Sequence, residues 1–374
     1  MKIMKVTNKL TLKSGKELSY RIVQAPMVTQ GANLDGTISQ ENLDYYGARS
    51  KVAGAIIVEA CYVEEAGKGF TKQIGVSDDK HIEGLTELAK AIKKDGALAI
   101  MQIHHAGREA ITAYQTSGVA LAPSKMDFDF LDYPVTEMTD EQIKATIKAF
   151  GEATRRAYEA GFDGVEIHGA NHYLIQQFFS NYSNHRTDNW GGSFDKRMNF
   201  PLAVVEEVKQ VVQHFENNFI VGYRISPEEI HGTTIGYDYK ESAELVKKLE
   251  RYGLDYIHIS NFGKFDMGPE GLDTSYVELY KKAIGNETPM ITVSNVFTQA
   301  DVDNALALAD IVAIGRAALL DPEFTHKLTH QRKDEIVSEM SEDVMAYVKW
   351  PQGLYDWYRD GAALPQVPNL ESLL

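Results

Sequence analysis

In EIHGANHYLIQQF, Glu166 to Phe178, the residues His168, Asn171, His172 and Tyr173 crowd six positions. An imidazole and a primary amide can donate hydrogen bonds to an oxygen that gains negative charge. A phenol beside them can deliver a proton. An apolar run, GVEI from Gly164, leads into the cluster, as expected of a buried strand that ends at a rim. Other polar groups stand in the same relation to apolar runs. Gln102 and His104-His105 lie in LAIMQIHH, Arg224 in FIVGYRIS, Ser294-Asn295 in MITVSNV and Gly315-Arg316 in IVAIGR. One histidine at a strand end is ordinarily packing. Amide, imidazole, phenol and guanidinium groups repeated at strand ends point to a shared site.

Eight such runs recur. Besides those named they are RIVQAPM from Arg21, GAIIVEA from Gly54 and YIHIS from Tyr256. They are rich in Ile and Val without strict polar alternation, the pattern of parallel strands covered on both faces. Helical patterns lie between them. In TDEQIKATIKAFGEATRRAYEAG, Thr139 and Gln142 make a capping-box pair. Ile143, Ile147 and Phe150 share a face, and Gly161 ends the helix. Similar segments follow Ser39, Asp78, Lys196, Tyr237, Asp273, Thr298 and Asp321. The expected fold is an α/β (β/α)8 TIM barrel. An open doubly wound sheet competes, but no strand is followed by GxGxxG or GxxxxGK[ST].

In such a barrel, chemistry sits at the C-terminal strand ends, and the loops after strands seven and eight commonly take a phosphate. The pairs Ser294-Asn295 and Gly315-Arg316 offer backbone N–H groups and a guanidinium suited to a dianion. The chain of 374 residues exceeds a minimal barrel in three places. LTLKSGKELSY reads as a hairpin turning at Ser14-Gly15 and plugging one end. Residues 106–138 form a long connection after strand three whose Tyr114, Phe128, Phe130 and Tyr133 either cover a ligand as a lid or dock on the barrel. Residues 331–374 form an extension whose aromatics serve packing or an oligomer contact. The whole reads as one domain, 1–374.

The formal charge of −15 disfavours nucleic acid and anionic membranes as partners. No apolar run reaches the roughly 20 residues of a membrane span, and no signal peptide is visible. The single cysteine, Cys61, forms no intrachain disulfide and fits a reducing, cytoplasmic setting. His104, His105, His168 and His172 are the candidates for a zinc site. No H-x-H pair stands on strand one and no carboxylate stands at the rim in ligand spacing, so no metal is assigned.

The stretch GFDGVEIHGANHYLIQQFFSNYSNHRTDNWGGSFDKRMNF resembles the signature of the Old Yellow Enzyme family of FMN-dependent ene-reductases. APM at Ala25, QIHHAGR at Gln102 and AIGRAALLDPEF at Ala313 follow in the family's order. The detail is nearest the bacterial NADH-dependent flavin oxidoreductase branch. The resemblance implies noncovalent FMN, reduced by NADH or NADPH, and a small-molecule substrate. It implies that His168 and Asn171 bind the substrate's carbonyl oxygen and that Tyr173 protonates its α carbon. Ala25, Pro26, Met27, Ala60, Gln102 and Arg224 would hold the flavin ring, and Ser294, Asn295, Gly315 and Arg316 its phosphate. The segment from Arg186 to Arg197 would be scaffolding. Where the family has Thr or Cys after the Pro-Met pair, Val28 stands here. Either Thr29 reaches the flavin or that contact is missing. His172, where Gly is common, lines the pocket or caps the loop. The expected reaction is ping-pong hydride transfer from NAD(P)H through flavin to an electron-poor alkene. The alternatives are a flavin-binding sensor with little turnover and a flavin-free barrel lyase or hydrolase.

Overall fold

Each of the eight apolar runs forms a strand, because branched side chains fit a pleated surface buried on both faces. They are β1 (Ile22–Gln24), β2 (Ala55–Tyr62), β3 (Leu98–His104), β4 (Gly164–Gly169), β5 (Ile220–Ile225), β6 (Tyr256–Ile259), β7 (Met290–Val293) and β8 (Ile311–Ile314). They pair in parallel in chain order, and β8 closes on β1 through Val312 to Ile22 and Ile314 to Gln24. The structure is a computed structural model that describes residues 4–362 and 366–373. Residues 363–365 and 374 of the expected extension lie outside the described residues.

Alternation along the strands divides two cores. Ala55 and Ile57 of β2 point inward with Val23, Ile100, Ile220 and Ile291. Ile56 and Val58 point outward to the helix layer. Eight helices succeed the strands: α1 (Gln40–Ala48), α2 (Ile82–Lys93), α3 (Asp140–Glu159), α4 (Asn199–Val212), α5 (Tyr239–Glu250), α6 (Tyr276–Ile284), α7 (Gln299–Leu308) and α8 (Arg316–Leu320). Thr139 and Gln142 form the capping box of α3, which buries Ile143, Ile147 and Phe150. Ser39, Asp238, Ser275 and Thr298 cap their helices in the same way. The sequence reading placed the last helix after Asp321. A helix does follow there, Phe324–Thr329, but α8 precedes it directly from Gly315.

The expected hairpin pairs Leu10–Thr11 with Glu17–Leu18. Its Leu12 and Leu18 join the barrel's inner core. Ser14 N–H donates to Asp255 at 2.7 Å and Lys16 reaches Asp163 at 2.8 Å. Both carboxylates directly precede strands, so the plug closes the N-terminal end and leaves the other for chemistry.

Residues 106–138 hold a helix, Ile111–Ser117, and a parallel pair, Leu121–Ala122 with Thr136–Glu137. Phe128 and Val135 form a small core of their own, with Tyr114 stacked on Tyr133 at 4.7 Å. Phe130 stays exposed. The extension adds helices Glu342–Val348 and Gln352–Arg359. Buried Arg49 at the end of α1 ties it down by donating to Val348 O at 2.8 Å. No helix among the described residues is long and apolar enough to cross a membrane.

Candidate active site

The C-terminal strand ends open into a cavity of 620 Å³. Ala25, Pro26, Met27, Ala60, Gln102, His168, Asn171, Tyr173, Arg224, Ser294, Asn295, Gly315 and Arg316 all line it. Residues from seven of the eight strands and the loops after them therefore meet in one place. The eighth contribution, from β6, was missed by the sequence reading. Ser260 and Asn261 follow β6 and line the same wall.

Ser260 orders the polar side of the cavity. Its hydroxyl donates to Asn171 Oδ1 at 2.7 Å and accepts from Arg224 Nη2 at 3.1 Å. The carbonyl end of the Asn171 amide is thereby taken, and its NH2 is the free donor. Asn171 holds a left-handed backbone, φ 59°, while its N–H bonds Ser226 Oγ at 2.9 Å. Asn tolerates that conformation better than most residues. His168 lies across the β4–β5 ladder from Arg224. Burial, with the neighbouring His104 and Arg224, holds its pKa well below the usual imidazole range. His168 is therefore a neutral N–H donor. Its Nδ1 has no hydrogen-bond partner among the described residues.

Tyr173 precedes the short helix Leu174–Phe179, and its ring packs on Ala106, Ala110 and Ala113. His104 meets the ring edge-on at 4.4 Å. Burial, then the Glu109 carboxylate, pushes the phenol's pKa up, so it stays protonated. The helix that follows is buried on every side. Its Gln176 Oε1 accepts from His172 N–H and its Gln177 Nε2 donates to His172 O, which holds the Asn171–Tyr173 turn. The expected scaffolding is visible behind it. Arg186 donates to Pro123 O and Met138 O, and Arg197 to Phe179 O.

Thr29 does not face the cavity. Its hydroxyl donates to Glu59 Oε1 at 2.6 Å and its N–H to Oε2 at 3.1 Å, while Val28 lines the wall. The reason lies in β2. Its ladder with β3 is irregular between Val58 and Cys61, so the inward–outward alternation shifts there. Regular alternation would send Glu59 inward after Ala55 and Ile57. The irregularity turns Glu59 to Thr29 and Tyr46 and leaves Ala60 on the cavity wall. His105 is likewise turned away, with Nε2 3.2 Å from Glu64.

The residues fit an FMN. Buried Arg224 Nε has no hydrogen-bond partner among the described residues. The amide of Gln102 is oriented by Glu166 at 2.8 Å, leaving its carbonyl toward the cavity. Buried polar atoms without partners are costly, and the dione edge of a flavin supplies partners of both kinds. Pro26 and Ala60 give the ring a small apolar wall. At the far end Arg316 bonds Asn295 Oδ1 and lies 5.2 Å from the Phe297 ring centroid. Ser294 and Asn295 both have positive φ, a backbone shape that favours anion-binding concavities. The extension completes this end. Leu354, Trp357 and Tyr358 line the cavity, and Trp357 meets Phe70 at 5.4 Å. Sequence order offered no sign that the tail returns to the site.

A second cavity of 670 Å³ adjoins the first and shares Phe70, Asn171, Tyr173 and Trp357 with it. Arg108, Phe130 and His172 also line it. His172 thus lines a cavity next to the expected one. Its φ of 65° lies in the left-handed region that glycine adopts most easily.

A family model described as the NADH:flavin oxidoreductase / NADH oxidase family matches residues 8–335. The protein named "Probable NADH-dependent flavin oxidoreductase YqiG" of Bacillus subtilis (strain 168) is 44% identical over 333 residues, which cover 87% of this chain and 88% of that protein. NADH:acrylate oxidoreductase of Vibrio harveyi is 42% identical over 347 residues, 90% of this chain but 34% of that protein. This chain therefore spans about a third of that relative. Among solved structures, morphinone reductase in complex with tetrahydroNAD superposes with a TM-score of 0.78 at 26% identity, covering 93% of this chain and 97% of that one.

Proposed function

We propose a reaction from one premise: the chain belongs to the NADH:flavin oxidoreductase / NADH oxidase family, as its Old Yellow Enzyme resemblance anticipated. It is an oxidoreductase that takes FMN as its flavin and NAD(P)H as reductant. FMN, when bound, would supply hydride exchange with the nicotinamide and with an alkene conjugated to a carbonyl or nitro group.

The chain's own side chains set up the rest. Pro26, Ala60, Gln102 and Arg224 would hold the ring system, with Arg224 supplying positive charge to it. Ser294, Asn295, Gly315 and Arg316 would hold the phosphate. His168 and Asn171 offer two neutral N–H donors to the substrate's carbonyl oxygen, which gains charge as hydride arrives at the β carbon. Tyr173 then gives its proton to the α carbon. The second cavity takes the parts of nicotinamide or substrate that lie beyond the reacting atoms. Residues 106–138 serve as a capping element over it, through Arg108 and Phe130.

The observation that carries this reading is the Asn171 amide, whose oxygen accepts from Ser260, which leaves its NH2 for a ligand in the cavity that His168 and Tyr173 also line. The Vibrio relative's name adds acrylate to the substrates worth testing. Anaerobic stopped-flow with NADH, then with cyclohexenone, acrylate, quinones and nitroalkenes, tests the reading. Bleaching by NADH and recovery of the oxidised spectrum with an enone or acrylate are expected. A flavin that NADH reduces but only oxygen or quinones reoxidise would overturn the alkene assignment.

A further inference from the structure

Beside the second cavity, which His172 and His231 line, three side chains converge that the proposed reaction does not use. His172 comes from the turn after β4. Glu229 and His231 come from the hairpin pairing Glu229–His231 with Thr234–Tyr237 after β5. One nitrogen from each histidine and one carboxylate oxygen lie within 4.8 Å of one another. His172 Nδ1 is 3.8 Å from Glu229 Oε2, and His231 Nε2 is 3.2 Å from Oε1. Ligand atoms about 2.0–2.2 Å from a tetrahedral zinc stand about 3.3–3.6 Å apart, so modest side-chain adjustment brings all three onto one ion.

We infer that His172, Glu229 and His231 form a site for a divalent transition-metal ion of the zinc class, open on the side that faces the second cavity. The donor set decides the class. Two imidazoles and one carboxylate suit zinc and its neighbours, whereas magnesium and calcium prefer oxygen alone. The carboxylate is oriented from behind, since Gln176 Nε2 donates to Glu229 Oε2 at 2.7 Å, as outer partners of metal ligands do. The backbone also holds His172 in place. Its left-handed conformation is fixed by Gln176, which accepts from its N–H at 3.0 Å, and by Gln177, which donates to its carbonyl at 2.6 Å. Hydrogen bonding alone accounts for Glu229 with Gln176 and His231. It does not account for His172, whose Nδ1 lies 3.8 Å from the carboxylate and, among the described residues, has only the long contact to Gln176 Nε2, at 3.5 Å. The carboxylate that the sequence reading sought beside the strand-end histidines thus comes from a different loop.

The test uses untagged FMN-loaded protein, freed of metal by chelator and dialysis, with Zn²⁺ and Co²⁺ as probes. Equilibrium dialysis should give one Zn²⁺ per chain, and Co²⁺ should give ligand-field bands to the red of the flavin absorption. His172→Ala and His231→Ala should each weaken binding about 100-fold or more, because losing even an outer partner costs about 10–100-fold. Unchanged FMN content in both variants verifies that they fold. His326 and His330, whose rings stand 4.0 Å apart on another helix, are the rival chelating pair. His330→Ala should leave binding intact. The inference is overturned by absence of stoichiometric binding in the parent, by binding that survives both cavity variants, or by binding lost with His330→Ala.

Discussion

The side-chain amide of Gln102 donates to Glu166 Oε1 at 2.8 Å, and this bond fixes which end of the amide meets the cavity. The other carboxylate oxygen pairs with His258 Nδ1 at 2.9 Å, and all three groups are buried. Glu166→Ala therefore strands two buried polar groups, each costing about 1–3 kcal/mol. The unfolding free energy from denaturant titration should fall by that sum, and Glu166→Gln should recover part of it. Equal stability of parent and Glu166→Ala would mean the network holds nothing in place.

Arg316 should govern retention of FMN. A hydrogen-bonded charge contact to phosphate contributes about 1.5–3 kcal/mol, or roughly 10- to 150-fold in affinity. Arg316→Ala should lose flavin on dialysis while the barrel stays folded. Retention equal to the parent's would remove Arg316 from the phosphate site.

Tyr173→Phe separates the half-reactions. Reduction by nicotinamide needs no proton from this phenol, and quinones take hydride without protonation at carbon. Both rates should persist. Cyclohexenone reduction should fall about 10²–10⁴-fold, the usual cost of losing a positioned acid. Unchanged enone turnover would leave Tyr173 as packing for the loop after β4.

Glu59 should make stability depend on pH. Burial raises its carboxyl to about 7 from 4.5, against hydrogen bonds from Thr29 and Tyr46 that lower it. Between those values the folded chain keeps a proton that the unfolded chain releases. The group therefore costs stability as pH rises from 4.5 to 7. Glu59→Gln should abolish this, so the variant gains on the parent by about 3 kcal/mol across the window. Buried His104, held down to about 3 by burial and then by His105, acts in the opposite sense. It costs stability as pH falls below its ordinary value of 6.5, and does so equally in both proteins. Parallel stability–pH curves for parent and variant would refute the Glu59 assignment.

His168→Ala should disturb binding of phenols, which mimic the charged oxygen of the reacting substrate. Losing one donor to such an oxygen costs about 2–4 kcal/mol. The long-wavelength band of a phenolate stacked on oxidised flavin should weaken accordingly in a titration. A band as strong as the parent's would place the anion away from His168.

By itself the sequence determined the eight strands, their parallel order, the plug and the residues at seven of the eight strand ends. Those features are local. Apolar runs, caps such as Thr139 with Gln142, and the motif from His168 to Tyr173 are written within a few residues of one another. Barrel closure then leaves little freedom in where the strand ends go. Only the tertiary structure decided which neighbour faces the cavity. One irregularity between Val58 and Cys61 exchanged Glu59 for Ala60 and made Thr29 a partner of Glu59. It also decided contacts between distant segments: Ser260 on Asn171, Glu229 and His231 beside His172, and Trp357 against Phe70. These depend on loop paths and on the packing of the tail against the barrel, and no periodicity in the chain encodes the distance between two loops.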